Sequence, residues 1–357
     1  MDSEATSLAL YLMQEYVQDN LEHIHTDTFT QEMIENITEL LKSQMDDAVD
    51  LLPAYQLFTK GRTSMYCPVQ ANVAEILNTL QLRFQPEQRS PEWYAFRHKL
   101  ITASSAYKAI GSNAKQNELI CSKCGPMNEY KSTSTEGPMH WGVKYEPVSL
   151  NYYSYVNETK VKEYGCIAHP AHTFLGASPD GINVLETSPL YGRMVEIKNP
   201  YSREITGNPK EEYWVQCQLQ MEVCDLDACD FLETKFTEYA SKEESEADGT
   251  FQKTADDKYK GIILHFQENG EYHYEYAPFM CTQDEFNDWE EMMMVKHVNF
   301  VRTIYWKLDD EHCTVICRNK PWFNWFLPKL TSIYEIIEKE KNGDWTARLP
   351  KRRAPFM

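Results

Sequence analysis

Residues 173–223 carry the pattern that most restricts what this chain can fold into. Two short β-like runs, 173–177 and 194–197, are separated by the turn Ser178-Pro179-Asp180-Gly181 and a loop over 186–192. A helix at 210–223, alternating glutamine with apolar residues, follows the second run. Proline presets φ for a turn and glycine accepts conformations that other residues avoid, so the first run must stop where the turn begins. Runs this short need neighbouring strands to bury a face. Such neighbours are predicted at 228–236, 261–266 and 272–276. Strands interrupted by helices in this order predict an α/β (α+β) fold, a small mixed β-sheet flanked by helices.

Apolar residues at helical spacing fill in the rest. Met33, Ile34, Ile37, Leu40 and Leu41 predict a helix over 30–42, and Ile76, Leu77 and Leu80 another over 73–82. Both fall in an N-terminal helical extension, residues 1–84, which carries no visible chemistry. Ser90-Pro91-Glu92 reads as a helix start, with Ser90 as N-cap and Pro91 at the first helical position. Thr102 opens a further short helix. Residues 112–138 read as a long surface loop, 140–155 as helix, and 238–257 as an acidic, solvated loop. A single long helix is predicted over 284–306 and another over 321–339. The main domain then spans 85–340, and 341–357 is a basic tail holding Lys351-Arg352-Arg353.

Charge excludes one class of function. The 357 residues include 35 Lys plus Arg against 54 Asp plus Glu, a net charge of −19. A polyanion binder working by overall basicity is ruled out, whereas a local basic cleft or an acidic site that needs a metal is not. Hydrophobic residues at 42% and aromatics at 13% also exclude a disordered chain. No apolar run approaches the ~18 residues of a membrane span, and Met1-Asp2-Ser3-Glu4 lacks the basic start of a signal peptide. The expected setting is intracellular, nucleus or cytoplasm, without a membrane partner. Lys351-Arg352-Arg353 serves equally as a nuclear signal or a solvated tail. The cysteines are read as reduced thiols. Cys121 with Cys124, and Cys313 with Cys317, have the form of zinc half-sites, but neither is followed by a second pair at a standard spacing.

The chemistry centres on Asp180, Glu196 and Lys198. Asp180 sits at the turn, and Glu196 and Lys198, two apart on a strand, point to the same face. Side by side, the two strands offer two carboxylates and an amine to one point. Carboxylate oxygens suit a hard cation such as Mg²⁺, which takes substrate phosphates as further ligands. A lysine beside them can polarise the attacking water, and the assembly then serves phosphodiester hydrolysis. Taken alone, the pattern equally describes a turn aspartate and a solvated Glu/Lys pair. Its company tells more. Glu146 lies upstream in His140-Trp-Gly-Val-Lys-Tyr-Glu146-Pro. Gln216 and Gln220, one turn apart in Tyr213-Trp-Val-Gln216-Cys-Gln-Leu-Gln220-Met, follow downstream. Arg97, Thr102 and Ser104 precede them, a planar guanidinium fork beside hydroxyls and a helix start, all suited to an anion. From residue 83 to 115 six cations (Arg83, Arg89, Arg97, Lys99, Lys108, Lys115) face two acids (Glu87, Glu92).

With W-x3-R-x4-T-A-S, G-x3-E-P, S-P-D-G, E-I-K and Q-x-Q-x-Q-M in this order, the chain resembles the YqaJ, or lambda-exonuclease-type, viral recombinase nucleases of the PD-(D/E)xK superfamily. The resemblance covers about residues 85–330. Leu100 departs from it, standing where the family often has glycine. The N-terminal extension and the cysteine-containing loop are additions that bear on assembly. The resemblance implies a restriction-endonuclease-like core. It implies that Asp180, Glu196, the Ile197 carbonyl and Glu146 hold one or two Mg²⁺ ions, with Mn²⁺ as a substitute. Lys198 would act on the attacking water and Gln216 would orient water or substrate. Arg97, Thr102 and Ser104 would grip a terminal 5′ phosphate, with Ser178 and Tyr213 also on the substrate. The implied activity is 5′-to-3′ degradation of linear duplex DNA in recombination, repair or viral DNA processing. Implied partners are duplex DNA with a free 5′ end, a single-strand annealing protein and further copies of the chain. Competing readings are an endonuclease or RNase on the same scaffold, a nucleic-acid-binding protein without catalysis, and an adaptor using its acidic surface.

Overall fold

The computed structural model describes residues 29–42, 70–127, 137–268 and 271–349, with isolated positions at 12, 13, 15, 16 and 20. Lys351-Arg352-Arg353 lies outside the described residues. Helix α1 (Phe29–Lys42) buries Met33, Ile37 and Leu41, as their spacing predicts, and leaves Leu40 exposed. Helix α2 (Val73–Leu82) buries Val73, Ile76, Leu77 and Leu80 in the same core as Trp214. Ser90 caps α3 (Pro91–His98), its hydroxyl accepting from the Trp93 N–H at 3.1 Å. Strand β1 (Ile101–Thr102) and the short α4 (Ala103–Ala106) follow.

The loop expected over 112–138 is corrected in its first half, where α5 (Asn113–Cys124) forms. Its polar sequence reflects the exposed Asn113, Lys115, Glu118 and Ser122. Leu119 and Ile120, both buried, supply the tertiary contact that holds the helix. Helix α6 (Pro138–Val156) carries Glu146. Pro147 inside it has no N–H to return to Val143. Short strands β2 (Val161–Lys162), β3 (Ile167–Ala168), β4 (Leu175–Ala177) and β5 (Gly181–Asn183) lead to β6 (Met194–Lys198), then α7 (Glu211–Cys224) and β7 (Ala228–Glu238).

Two sheets result. A three-stranded one has the order β1-β4-β3, with β1 and β4 parallel. A seven-stranded one has the order β2-β5-β6-β7-β10-β8-β9, built from β8 (Lys260–Glu268), β9 (Glu271–Tyr276) and β10 (Phe300–Cys317) as well. Within it β6 and β7 are parallel, linked by α7 as crossover, and the other pairs are antiparallel. The fold class is therefore as predicted, a mixed sheet flanked by helices.

Two sequence expectations fail at the far end of the sheet. The helix expected over 284–306 stops early: α9 (Gln283–Lys296) ends at His297, and β10 runs from 300 to 317. Burial of Ile304, Trp306 and Leu308 but not the residues between them gives that stretch a period of two, which overrides helix. The insertion 238–257 is not all solvated loop. It holds α8 (Lys242–Ala247), and the buried Lys260 ammonium gathers the carbonyls of Asp248 and Thr250 at 2.7 and 2.8 Å. Helix α10 (Lys320–Lys341) closes the core.

Alternation along β6 sorts the core into two layers. Val195 and Ile197 pack with Tyr145, Val148 and Tyr152 of α6. Met194 packs on the opposite face with Trp214 and Leu219 of α7. Helix α7 is buried nearly all round, as a helix enclosed between sheet and helices must be, with Trp214 edge-on to Trp322 of α10 at 4.9 Å. Glu196 and Lys198 fall on the α7 side by the same alternation.

Candidate active site

The turn Ser178–Gly181 delivers Asp180 to the end of β5 beside β6. Glycine is required next to it because a Cβ at 181 would lie 2.2 Å from Val161 Cγ1. Asp180 Oδ2 accepts from the Ile197 N–H at 2.8 Å, which fixes the carboxylate against the middle of the E-I-K strand. Glu196 is buried. Its Oε1 accepts from Gln216 Nε2 and its Oε2 from Gln220 Nε2, each at 2.6 Å, and Lys198 also donates to Oε1. The two glutamines stand one turn apart on α7, so the helix offers one amide to each oxygen.

These residues line a single cavity of about 520 Å³. Glu146 enters it from α6, with Oε2 accepting from Arg89 at 3.0 Å. Burial pushes the Asp180 carboxyl well above the usual carboxylate range, and the charges of Glu196 and Glu146 add to the effect. Glu146 is raised for the same first reason, against the pull of Arg89. Burial acts to lower Lys198, but Glu196 and Asp180 outweigh it and hold the amine above its ordinary value, as an ammonium. Three desolvated carboxylates are thus partly balanced by Lys198 and Arg89. Among the described residues the buried Gln220 Oε1 accepts no hydrogen bond, so the site holds a further oxygen open to a donor or a cation. An all-oxygen donor set of this kind fits a hard divalent cation. Such an ion would have to take the place of amide and ammonium donors on Glu196.

A second constellation shares the cavity. Arg97 donates from Nη1 to Ser178 Oγ at 3.1 Å and from Nη2 to Ser104 Oγ at 3.2 Å, while its guanidinium stacks 4.2 Å from the Trp93 ring. Trp93 Nε1 also donates to Ser178 Oγ, at 3.2 Å. Burial lowers Arg97 from its ordinary pKa without threatening its charge. A guanidinium facing hydroxyls rather than carboxylates is suited to meet a phosphate. Tyr213 lines the same space, with the ammonium of Lys198 5.2 Å from its ring centre. Thr102 does not line the cavity. It is buried, and its hydroxyl lies 3.1 Å from Ser105 Oγ at the start of α4, supporting the turn that presents Ser104.

Every other predicted site residue, Ile197 included, lines the cavity. Sequence reasoning gave no site role to Arg89, Asn199 or Arg203, which line it too. Arg203 was hidden by distance in sequence, since its partner Glu233 is on β7. Arg89 was visible only as part of a cationic cluster. The cavity is lined by four cationic side chains (Arg89, Arg97, Lys198, Arg203) and three acidic ones (Glu146, Asp180, Glu196). Arg203 is paired with Glu233, so cations and acids around the cavity balance in number, in a chain of net charge −19. Cys121 and Cys124 lie one turn apart on α5, as free thiols, outside this cavity.

Comparison with known proteins gives a concordant result. Residues 92–240, which contain all of these predicted site residues, match the YqaJ-like viral recombinase domain. An uncharacterized protein of Acanthamoeba polyphaga mimivirus is 30% identical over 296 residues, which is 71% of this chain and 53% of that protein. A protein of African swine fever virus is 27% identical over 158 residues, 37% of this chain and 45% of its own. The chain spans about half the length of these curated relatives. Among solved structures, an alkaline exonuclease from Laribacter hongkongensis aligns with 21% identity and a TM-score of 0.41, over 71% of this chain and 94% of that one.

Proposed function

We propose, from the match of residues 92–240 to the YqaJ-like viral recombinase domain and from the geometry of the site, that the chain is a metal-dependent DNA exonuclease acting 5′ to 3′ on linear duplex. The observation that carries this reading is the shared cavity: the Asp180–Glu196–Lys198 group and the Arg97–Ser178–Ser104 group open onto the same space. The first suits phosphodiester hydrolysis and the second suits a terminal phosphate.

Asp180, Glu196 and Glu146, with the Ile197 carbonyl, would hold one or two Mg²⁺ ions, or Mn²⁺ in their place. Bound there, the metal supplies Lewis-acid neutralisation of the phosphodiester and an acidified water. The chain's own residues do the positioning. Lys198, as an ammonium, orients the attacking water and balances charge developing on the phosphate. Gln216 donates its amide where water or a phosphate oxygen would sit. Arg97 grips the 5′ phosphate with Ser104 and Ser178 beside it, Thr102 braces Ser104 from behind, and Tyr213 flanks the strand. The domain's recombinase description and the two viral relatives support a role in recombination or viral DNA processing; a single-strand annealing protein and further copies of the chain are the partners we propose for it.

End-labelled linear duplex, with and without Mg²⁺ and with and without a 5′ phosphate, tests the reading. Mg²⁺-dependent loss of mononucleotides from the 5′ end is expected, faster on the phosphorylated end. Efficient cutting of covalently closed circles would instead favour an endonuclease.

A further inference from the structure

Far from the nuclease chemistry in composition, one side-chain cluster has the make-up of a nitrogen-rich metal centre. His273 and Glu275 are two apart on β9 and share a face. His297 is the residue at which α9 gives way to extended chain, with φ −119° and ψ 137°. The hairpin of β8 and β9 and the exit of α9 thereby bring two imidazoles to one carboxylate. His297 Nε2 lies 2.6 Å and His273 Nε2 3.2 Å from the same Glu275 Oε1. One ligand atom from each of the three residues falls within 4.8 Å of the other two, and no other such His/Cys/Asp/Glu trio occurs among the described residues. None of the three lines the nuclease cavity.

Burial grades across the cluster. The side chains of His297, Glu275 and His273 are 7%, 19% and 40% exposed, so the site has a closed floor and an open mouth at His273. Phe266 forms part of the floor, its ring 4.9 Å from that of His297. Glu275 is ionised throughout the ordinary pH range. Burial acts to raise it, but hydrogen bonds from Lys296, His273 and His297 outweigh burial and hold it at about 2. The positive charge now on this carboxylate is Lys296, whose Nζ is 2.7 Å from Oε1 and whose side chain is 58% exposed. That ammonium can swing into water at little cost.

Two imidazole nitrogens and one carboxylate oxygen are a zinc-type donor set, with metal–ligand distances of about 2.0–2.2 Å. Ligand atoms around such an ion stand roughly 3.3–3.5 Å apart at tetrahedral angles. The observed 2.6 and 3.2 Å separations from Glu275 need a sub-ångström opening, and the two imidazole nitrogens stand within 4.8 Å of each other. Imidazole also selects against Mg²⁺, the ion suited to the oxygen-lined cavity. We propose that His273, Glu275 and His297 form a second, zinc-binding site, the ion replacing Lys296 on Glu275 and leaving a fourth position for water. Loaded, it clips the β8–β9 hairpin to the end of α9 and so fixes the start of β10.

The test uses the full chain, stripped with a chelator and returned to excess Mg²⁺ so that oxygen-ligand sites are occupied. Calorimetric titration with Zn²⁺ should then give one saturable site per chain and a rise in Tm. Co²⁺ should give the visible absorption of a low-coordinate ion. H273Q, altering the most exposed ligand, should bind Zn²⁺ at least ~10-fold more weakly, the scale on which even second-shell changes act. K296M, which removes the competing ammonium, should bind Zn²⁺ more tightly, a gain that misfolding cannot mimic. The proposal is overturned if Zn²⁺ does not saturate a site in excess Mg²⁺, if H273Q binds as the parent does, or if K296M shows no gain. Loss of the Zn²⁺ site in D180N with retention in H273Q would also overturn it, by placing the ion in the nuclease cavity.

Discussion

Gln220 donates to Glu196 Oε2 at 2.6 Å, one helical turn along from the Gln216 amide that serves Oε1. A buried carboxylate is costly unless its oxygens are paired, so in the metal-free protein these amides do the work a cation would do. Gln220→Leu should lower metal-free stability by about 1–3 kcal/mol, the usual cost of an unpaired buried acceptor. Added Mg²⁺ should recover part of that loss. Thermal unfolding of parent and variant, with and without Mg²⁺, reads it. An equal deficit in both conditions would mean that Glu196 does not face the ion.

Asp180→Asn and Glu196→Gln keep shape and remove charge. Lewis-acid stabilisation is worth several kcal/mol, so each should reduce DNA hydrolysis by at least ~100-fold with the circular dichroism spectrum unchanged. Parental rates in saturating Mg²⁺ would show the site to be wrongly assigned.

Lys198 touches Glu196 and lies 5.2 Å from the Tyr213 ring. Lys198→Gln should reduce turnover much more than DNA affinity, and Lys198→Arg should not rescue it, because a planar fork does not imitate a compact ammonium. Single-turnover rates set against equilibrium binding separate the two effects. A parallel fall in both would make Lys198 a phosphate contact.

The candidate site was legible because its signals are local. A Pro-Asp-Gly turn and a period-two Glu/Lys pair state their geometry within a few residues, and Gln216 and Gln220 state theirs by helical spacing. Arg89 was not legible as a site residue, since its partner Glu146 is 57 residues away and its own φ is 68°. The end of α9 was missed for a different reason. The run Met292-Met293-Met294-Val295-Lys296 favours helix, and only His297 and the alternation beginning near Ile304 reverse it. Helix α5 was missed because Leu119 and Ile120 are its buried anchors in an otherwise polar segment, so tertiary contact rather than propensity decides it.

Arg97 reaches Ser178 and Ser104 but, among the described residues, no carboxylate within hydrogen-bonding distance. Arg97→Ala should therefore abolish the preference for a phosphorylated 5′ end while some Mg²⁺-dependent cleavage survives, because the residue stands outside the carboxylate group. Rates on 5′-phosphate and 5′-hydroxyl duplexes should become equal. A variant that keeps the preference would move the phosphate grip elsewhere, with Arg89 and Arg203 the next cations to test.

His169 makes the acid stability of the fold testable. Its Nδ1 accepts from the N–H groups of Ala171 and His172 at 3.1 and 3.0 Å, so the folded state needs that nitrogen unprotonated. Burial first, then the neighbouring His172, lowers its pKa to about 4. The unfolded chain takes up this proton near the ordinary value of about 6.5. Between those two values the unfolded state holds more protons, so stability present at neutral pH is lost as pH falls from about 6.5 towards 4. The loss attributable to this one group is of order 1–3 kcal/mol. His169→Asn retains an acceptor at the same position, through its side-chain carbonyl, and cannot titrate. Its Tm should fall less than the parent's between about pH 7 and pH 5. Identical slopes for the two proteins would assign the acid sensitivity to other groups.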